Sequence, residues 1–227
     1  MSQTETERRI LSPEAMAHLE RLVQTEPTLE NAFRLMNDAD FLFAGGRYPS
    51  VVALAVLCME EIGKYLLTTW SKTPAFSFDK RRLHQSKQMA IAALFIADGM
   101  RQESKKRNID FSDLGSPEKI ARLVEAIQVG YERESFLAGS VKSGVMQIVK
   151  HSGIYCDEEY VAKGIEPSNI SATSADEMMR MCSRAFMVLT ETKSIALGGN
   201  LYPLLTQKGV FATPPAKGSV DGGAGGK

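Results

Sequence analysis

Apolar residues recur at three-to-four-residue spacing along most of this chain, and strand-like alternation is scarce. The pattern predicts helices throughout. Ser12-Pro13 marks a start, with serine as cap and proline at the first helical position, and a first helix follows to about Gln24. Thr28 opens a second, whose Leu29, Ala32, Phe33, Met36, Ala39 and Phe43 share a face until Gly45-Gly46 ends it. A third helix runs from about Pro49 to Trp70. A fourth runs from about Asp79, which can cap it, to Arg107. Ser116-Pro117-Glu118 opens a fifth that reaches about Gly139, and a shorter helix covers about Val141 to Lys150. The stretch from Gly153 to Thr173 reads as irregular, broken by Gly164 and Pro167. Ser174-Ala175-Asp176-Glu177 has the form of a capping box, and the last long helix it starts ends at Gly198-Gly199.

The third helix departs from the usual amphipathic pattern. From Val51 to Leu67 it reads VVALAVLCMEEIGKYLL, apolar on all sides except for Glu60, Glu61 and Lys64. A helix apolar all round is a buried one. Charges within it need partners, because removing them from water costs several kcal/mol. Lys64 can meet both glutamates at three- and four-residue spacing, which leaves one negative charge wanting a donor. The fourth helix can supply it. Arg81, His84 and Lys87 form a stripe there, with Lys80 and Gln88 beside them. A short loop makes antiparallel packing of the two helices the default, so His84 and Lys87 can face Glu60, Glu61 and Lys64. Arg47 and Tyr48 precede the third helix and would sit at its opposite end. The cluster reads two ways: as a buried network that fixes helix register, or as an acid/base and phosphate-contacting site.

Composition narrows the function classes. The chain has 227 residues, 44% hydrophobic and 24% charged, which suits one globular domain. Lys and Arg number 27 and so do Asp and Glu. That balance argues against a general nucleic-acid coat or a polybasic membrane binder. It hides a local asymmetry: the fourth helix carries eight basic residues against three acidic ones, so the remainder of the chain is net negative. An RNA-contacting face and a solvated basic helix both fit. Cys58, Cys156 and Cys182 are odd in number and unpaired in spacing, pointing away from a disulfide framework or zinc knuckle and toward a cytoplasmic setting. No signal peptide is visible, and no apolar run has the length of a membrane span. Six of the 18 glycines fall within the final 22 residues, a composition that predicts disorder. The methionines of the last helix, Met178, Met179, Met181 and Met187, fit core packing better than a partner groove. The chain therefore divides into an N-terminal helix and extension (1–27), a helical domain (28–200) and a mostly disordered tail (201–227).

Other chemistries lack their motifs. None of His18, His84 and His151 follows a glutamate by three positions, as a di-iron bundle requires. Zinc-ligand spacing, a Walker loop and a nucleophile elbow are absent. The reading expects neither metal nor cofactor.

Several fragments together resemble the AbiV family of abortive infection proteins. They are Asn31-Ala32, Asn37-Asp38-Ala39, Gly46-Arg47-Tyr48, Glu60-Glu61-Ile62-Gly63-Lys64 and His84-Gln85-Ser86-Lys87. Lys150, Gly153-Ile154-Tyr155-Cys156-Asp157 and the run from Pro167 to Ala175 continue the order. The resemblance spans about residues 28–197. It implies an all-α HEPN-type bundle in a bacterial antiphage protein, commonly a homodimer with its polar sites at the interface. Many HEPN domains are metal-independent ribonucleases with an Arg-x4-6-His motif, which none of the three histidines here completes. The resemblance implies that the Glu-Glu-x-Gly-Lys and His-x-x-Lys set stands in its place. His84 would then be the acid/base, Glu61 would orient it, and Lys64 or Lys87 would contact phosphate, with Glu60 in the same cluster. Arg47, Tyr48, Arg81 and Arg82 would line an RNA or dimer cleft. The alternative is a non-enzymatic module that binds a phage or host protein, with the cluster purely structural.

Overall fold

A computed structural model of the chain describes residues 12–73, 76, 78, 83–107, 138–141, 143–153 and 166–206. Every regular element among them is helical: α1 (Pro13–Thr25), α2 (Pro27–Ala44), α3 (Tyr48–Trp70), α4 (Leu83–Arg107), α5 (Val145–Ser152), α6 (Ala172–Leu189) and α7 (Thr192–Thr206), with a 3-10 turn at Pro167–Asn169. The expected all-α bundle is therefore what the chain forms. The fifth helix expected from Ser116, the start of the fourth at Asp79, Arg81 and Arg82, and the tail beyond Thr206 lie outside the described residues.

The bundle is built around α3. It packs against α2, α4, α5, α6 and α7, and 13 of its residues are buried, from Val51 to Trp70. Its largely apolar sequence has this consequence: only one narrow stripe, from Ser50 through Leu54, Leu57, Glu61 and Lys64 to Thr68, is partly open to water. α4 lies between α3 and α7, burying an unbroken run from Met89 to Ala97. α1 rests on α2 and lends Leu19, Leu22 and Val23 to the main core. Met178, Met179 and Met181 also pack against that core, as the core-packing reading expects.

Two glycines set how closely helices approach α3. A Cβ on Gly63 would collide with the carbonyl oxygen of Lys87, so the backbones of α3 and α4 touch there. A Cβ on Gly153 would collide with the Pro49 carbonyl oxygen, so the end of α5 is seated on the start of α3. These contacts fix the register on which the polar cluster depends.

Three boundaries differ from expectation. Gly144 adopts φ 78° and separates helical residues 138–141 from α5, so the single short helix expected from Val141 is broken. α6 is capped by Ser171, whose Oγ accepts from the Ser174 amide at 3.1 Å, three residues ahead of the expected box. The chain then turns at Thr190 and continues as α7. Gly198-Gly199 does not end a helix. Both glycines lie inside α7 against Trp70, where a Cβ on Gly199 would stand 2.8 Å from the indole Cδ1. The glycines were needed for close approach, not for a left-handed turn. α7 runs to Thr206 with Leu201, Tyr202 and Leu205 buried, so residues 201–206 belong to the bundle and not to the tail.

Candidate functional site

Glu60 sits just past the middle of α3 and is almost wholly enclosed, its side chain 3% exposed. Three donors from two other helices converge on it. His84 Nδ1, in the first turn of α4, lies 2.6 Å from Oε2. Gln88 Nε2, one turn further along α4, donates to Oε1 at 2.9 Å. Lys150 Nζ, from α5, donates to the same Oε1 at 3.0 Å and is itself 8% exposed. A buried carboxylate is tolerated only with such compensation, and here both oxygens are bonded and a buried cation opposes the charge.

The network settles the imidazole tautomer. The carboxylate already takes two donors on Oε1, and as an ionised group it only accepts. The proton of the Glu60–His84 bond therefore belongs to Nδ1, and neutral His84 keeps its lone pair on Nε2. The His84 side chain is 59% exposed, in contrast to everything that holds it. The arrangement is a buried carboxylate orienting a ring whose other face meets solvent. Such a group can accept or deliver a proton at Nε2.

The other expected residues divide. Glu61 does not reach His84 as orienting carboxylate. One residue further along a helix turns a side chain by about 100°, and Glu61 instead pairs with Lys64 at 3.7 Å on the outer side of α3. Lys64 is half exposed, so this pair adds little stability and leaves the ammonium available to a ligand. Lys87 shares the α4 stripe with His84 and Gln88 and is buried, and among the described residues no ion pair joins it to a carboxylate. Arg47 is exposed, and Tyr48 packs edge-on against Phe43 at 5.5 Å. Both lie roughly 20 Å along α3 from Glu60, too far to touch the same group. Arg81 and Arg82 fall outside the described residues.

Two members were not expected. In sequence Gln88 stands beside the stripe with no evident role, and Lys150 belongs to a resembling fragment far from the other site residues. Gln88 could have been found by its spacing, four residues after His84 on the same face. Lys150 offers no local signal, being 90 positions from Glu60. Gln88 Oε1 is buried and has no hydrogen-bond partner, because the amide turns its donor end to Glu60.

A second polar cluster lies about 20 Å further along α4. Buried Asp98 accepts from Gln102 at 2.5 Å and has Arg184 at 3.9 Å, whose guanidinium stacks over Phe95 at 4.7 Å. Arg101 pairs with Glu191 at 2.6 Å. Arg101 is thus largely covered and neutralised, which removes it from the basic face expected of the fourth helix. The fragments around Asn31 and Asp38 are spent on Arg34, which bonds Asn31 at 2.9 Å and Asp38 at 3.2 Å on the surface of α2. Among the described residues, no three His, Cys, Asp or Glu side chains come together as metal ligands would. No helix among them is long and apolar enough to cross a membrane.

Comparison with known proteins gives a family match. The family model described as AbiV, a HEPN family, covers residues 22–185, from the end of α1 through most of α6. No curated protein and no solved structure gives a significant match.

Proposed function

The chain belongs to the AbiV family of HEPN proteins, and from that premise we propose that it is a bacterial abortive-infection protein acting on RNA through His84. The observation that supports this most is the 2.6 Å bond from exposed His84 to buried Glu60. A register-fixing network has no need to present a half-open imidazole to solvent. An acid/base group does.

In this reading His84 Nε2 takes the proton of a ribose 2′-hydroxyl. The 2′-oxygen forms a bond to the adjacent phosphorus, the bond from phosphorus to the 5′-oxygen breaks, solvent water protonates that oxygen, and His84 then releases its proton to solvent. In this reading Lys64 on α3 and Lys87 on α4 balance charge on the phosphate. Arg47 and Tyr48, remote along α3, serve a flanking strand or a second copy of the chain in a homodimer. Arg81 and Arg82, three and two residues before His84 in sequence, add positive charge for an RNA backbone.

The rival reading is a protein-binding module, and one observation favours it: three donors satisfy Glu60 without any ligand. Phage challenge separates the two. Cells expressing wild type should restrict plaque formation, and cells expressing a folded His84→Ala protein should not. RNA from infected cells should carry breaks that depend on His84. Restriction that survives His84→Ala, with RNA intact in both, would replace the ribonuclease reading by the binding one.

A further inference from the structure

Two lysines are buried among the described residues, and the fold treats them differently. Lys150 donates to Glu60 Oε1 at 3.0 Å. Lys87, 8% exposed, makes no hydrogen bond and no ion pair among the described residues. It stands three residues after His84, the spacing that brings two side chains to one face of a helix. Its main-chain carbonyl abuts Gly63 of α3, whose neighbour Lys64 is half exposed. We propose that Lys87 is a preformed seat for a phosphoryl anion, kept unpaired beside His84 in the free protein.

An ammonium carries three donors and no acceptor, and burying it without a partner works against folding. The apolar run from Met89 to Ala97 shows what the same helix buries where packing alone decides. A fold keeps such a charge where a ligand brings the missing partner. The carboxylates of α3 are engaged elsewhere: Glu60 accepts from His84, Gln88 and Lys150, and Glu61 pairs with Lys64 at 3.7 Å. A phosphoryl group suits this place better than a carboxylate. Its tetrahedral oxygens can meet Lys87, the half-exposed Lys64 and His84 Nε2 from different directions, whereas a planar carboxylate offers only two. The inference rests on the proposed reaction for the class of anion, because RNA would bring a phosphoryl group to His84. It also separates two lysines that the reaction alone treats alike. Lys64 serves from the surface, and Lys87 is held for the anion at the expense of stability.

Two readouts on the full chain test the seat, and neither needs RNA cleavage. The first is stability. Lys87→Met approximates the lysine stem and removes the charge, so its urea midpoint should rise in phosphate-free buffer. A lower midpoint, or failure to fold in both Lys87→Met and Lys87→Gln, would mean that the chain itself supplies the lysine's partner, and would overturn the proposal. The second is binding, measured by calorimetry at fixed ionic strength with two probes: inorganic phosphate, and a DNA oligonucleotide without terminal phosphates. Affinity for at least one should fall about tenfold or more from wild type to Lys87→Met, the worth of one charge-assisted hydrogen bond. Dependence on Lys87 confined to inorganic phosphate assigns the seat to a terminal phosphate. Dependence that includes the oligonucleotide assigns it to a strand passing through. At constant pH the bound probe should also move the His84 Cε1 proton resonance of wild type, assigned by its loss in His84→Gln. Equal affinities in the two proteins, or no binding of either probe, would overturn the proposal. Binding that depends on Lys87, with RNA left intact, would defeat the ribonuclease reading while leaving the seat standing.

Discussion

At the scale of the residue, Glu60 and Glu61 are adjacent and have opposite fates. Glu60 is buried with three donors, and Glu61 shares an outward-facing pair with Lys64. Glu60→Ala would leave Lys150 buried without its carboxylate, so it should cost about 3–5 kcal/mol in urea unfolding. Glu61→Ala should cost less than about 1 kcal/mol. Equal costs would show that the burial assigned to Glu60 is wrong. Sequence reading found the charges and their need for a partner, because three ionisable groups stand out in an apolar helix. It could not choose between the glutamates. A helix apolar on every side has no dry face to be distinguished from a wet one, and the 100° between neighbours is settled only by what packs around them.

The cysteines act at the same scale. Cys58 and Cys182 are buried and reduced, and the Cys182 thiol donates to the Ala55 carbonyl at 3.2 Å. Its hydrogen bond with the Cys58 thiol, then burial, push the Cys182 thiol well above its ordinary value of 9.0. The unfolded chain therefore releases this proton first as pH rises. The contribution to stability is complete below about pH 9 and is lost as pH climbs from there toward the folded value. Denaturant midpoints taken between pH 8 and 10.5 should fall more steeply for wild type than for Cys182→Ala. Parallel curves would remove Cys182 from the alkaline response.

At the scale of the element, the site depends on how closely α4 and α5 approach α3. Gly63 permits the first contact, and an alanine there would meet the Lys87 carbonyl oxygen. Overpacking of this kind costs roughly 1–3 kcal/mol or more. Because backbone and not a flexible side chain blocks it, α4 must shift. Gly63→Ala should accordingly stretch or break the Glu60–His84 bond, seen as a changed His84 Cε1 resonance, along with a lower melting temperature. An unaltered resonance in a folded Gly63→Ala protein would show that the glycine does not set this register. Sequence pattern placed most helices within a few residues, since caps such as Ser12, whose Oγ accepts from the Ala15 amide at 3.2 Å, are local signals. Gly198-Gly199 misled because the same residue type serves turns and close packing, and only the presence of Trp70 decides between them. Lys150 stayed out of the site because no periodicity links α5 to α3 across 90 positions.

At the scale of the whole molecule, α7 lies beyond the stretch the family model covers, yet it is integral to the bundle. The indole nitrogen of Trp70, the single tryptophan, donates to the Ile195 carbonyl at 2.9 Å, and its ring packs against Tyr202. Truncation after Thr190 should red-shift Trp70 emission without denaturant and lower stability. A truncated protein with native emission would mean that α7 is dispensable. The ionic hub lies at the other helices' meeting point, α3 with α4 and α5, so one residue from each of three helices must be in place before His84 is oriented.

The central claim is that His84, held by Glu60, is a working acid/base group. Its bond to Glu60 is the one contact that His84→Ala removes from the hub, and Gln88 and Lys150 remain, so that protein should fold with a loss of about 1–3 kcal/mol. The most direct measurement incubates wild type and folded His84→Ala protein with total bacterial RNA in the presence of a chelator. Discrete cleavage by wild type and intact RNA with the variant is the predicted result. Equal cleavage by both, or intact RNA with both under conditions where wild type restricts phage, would contradict it.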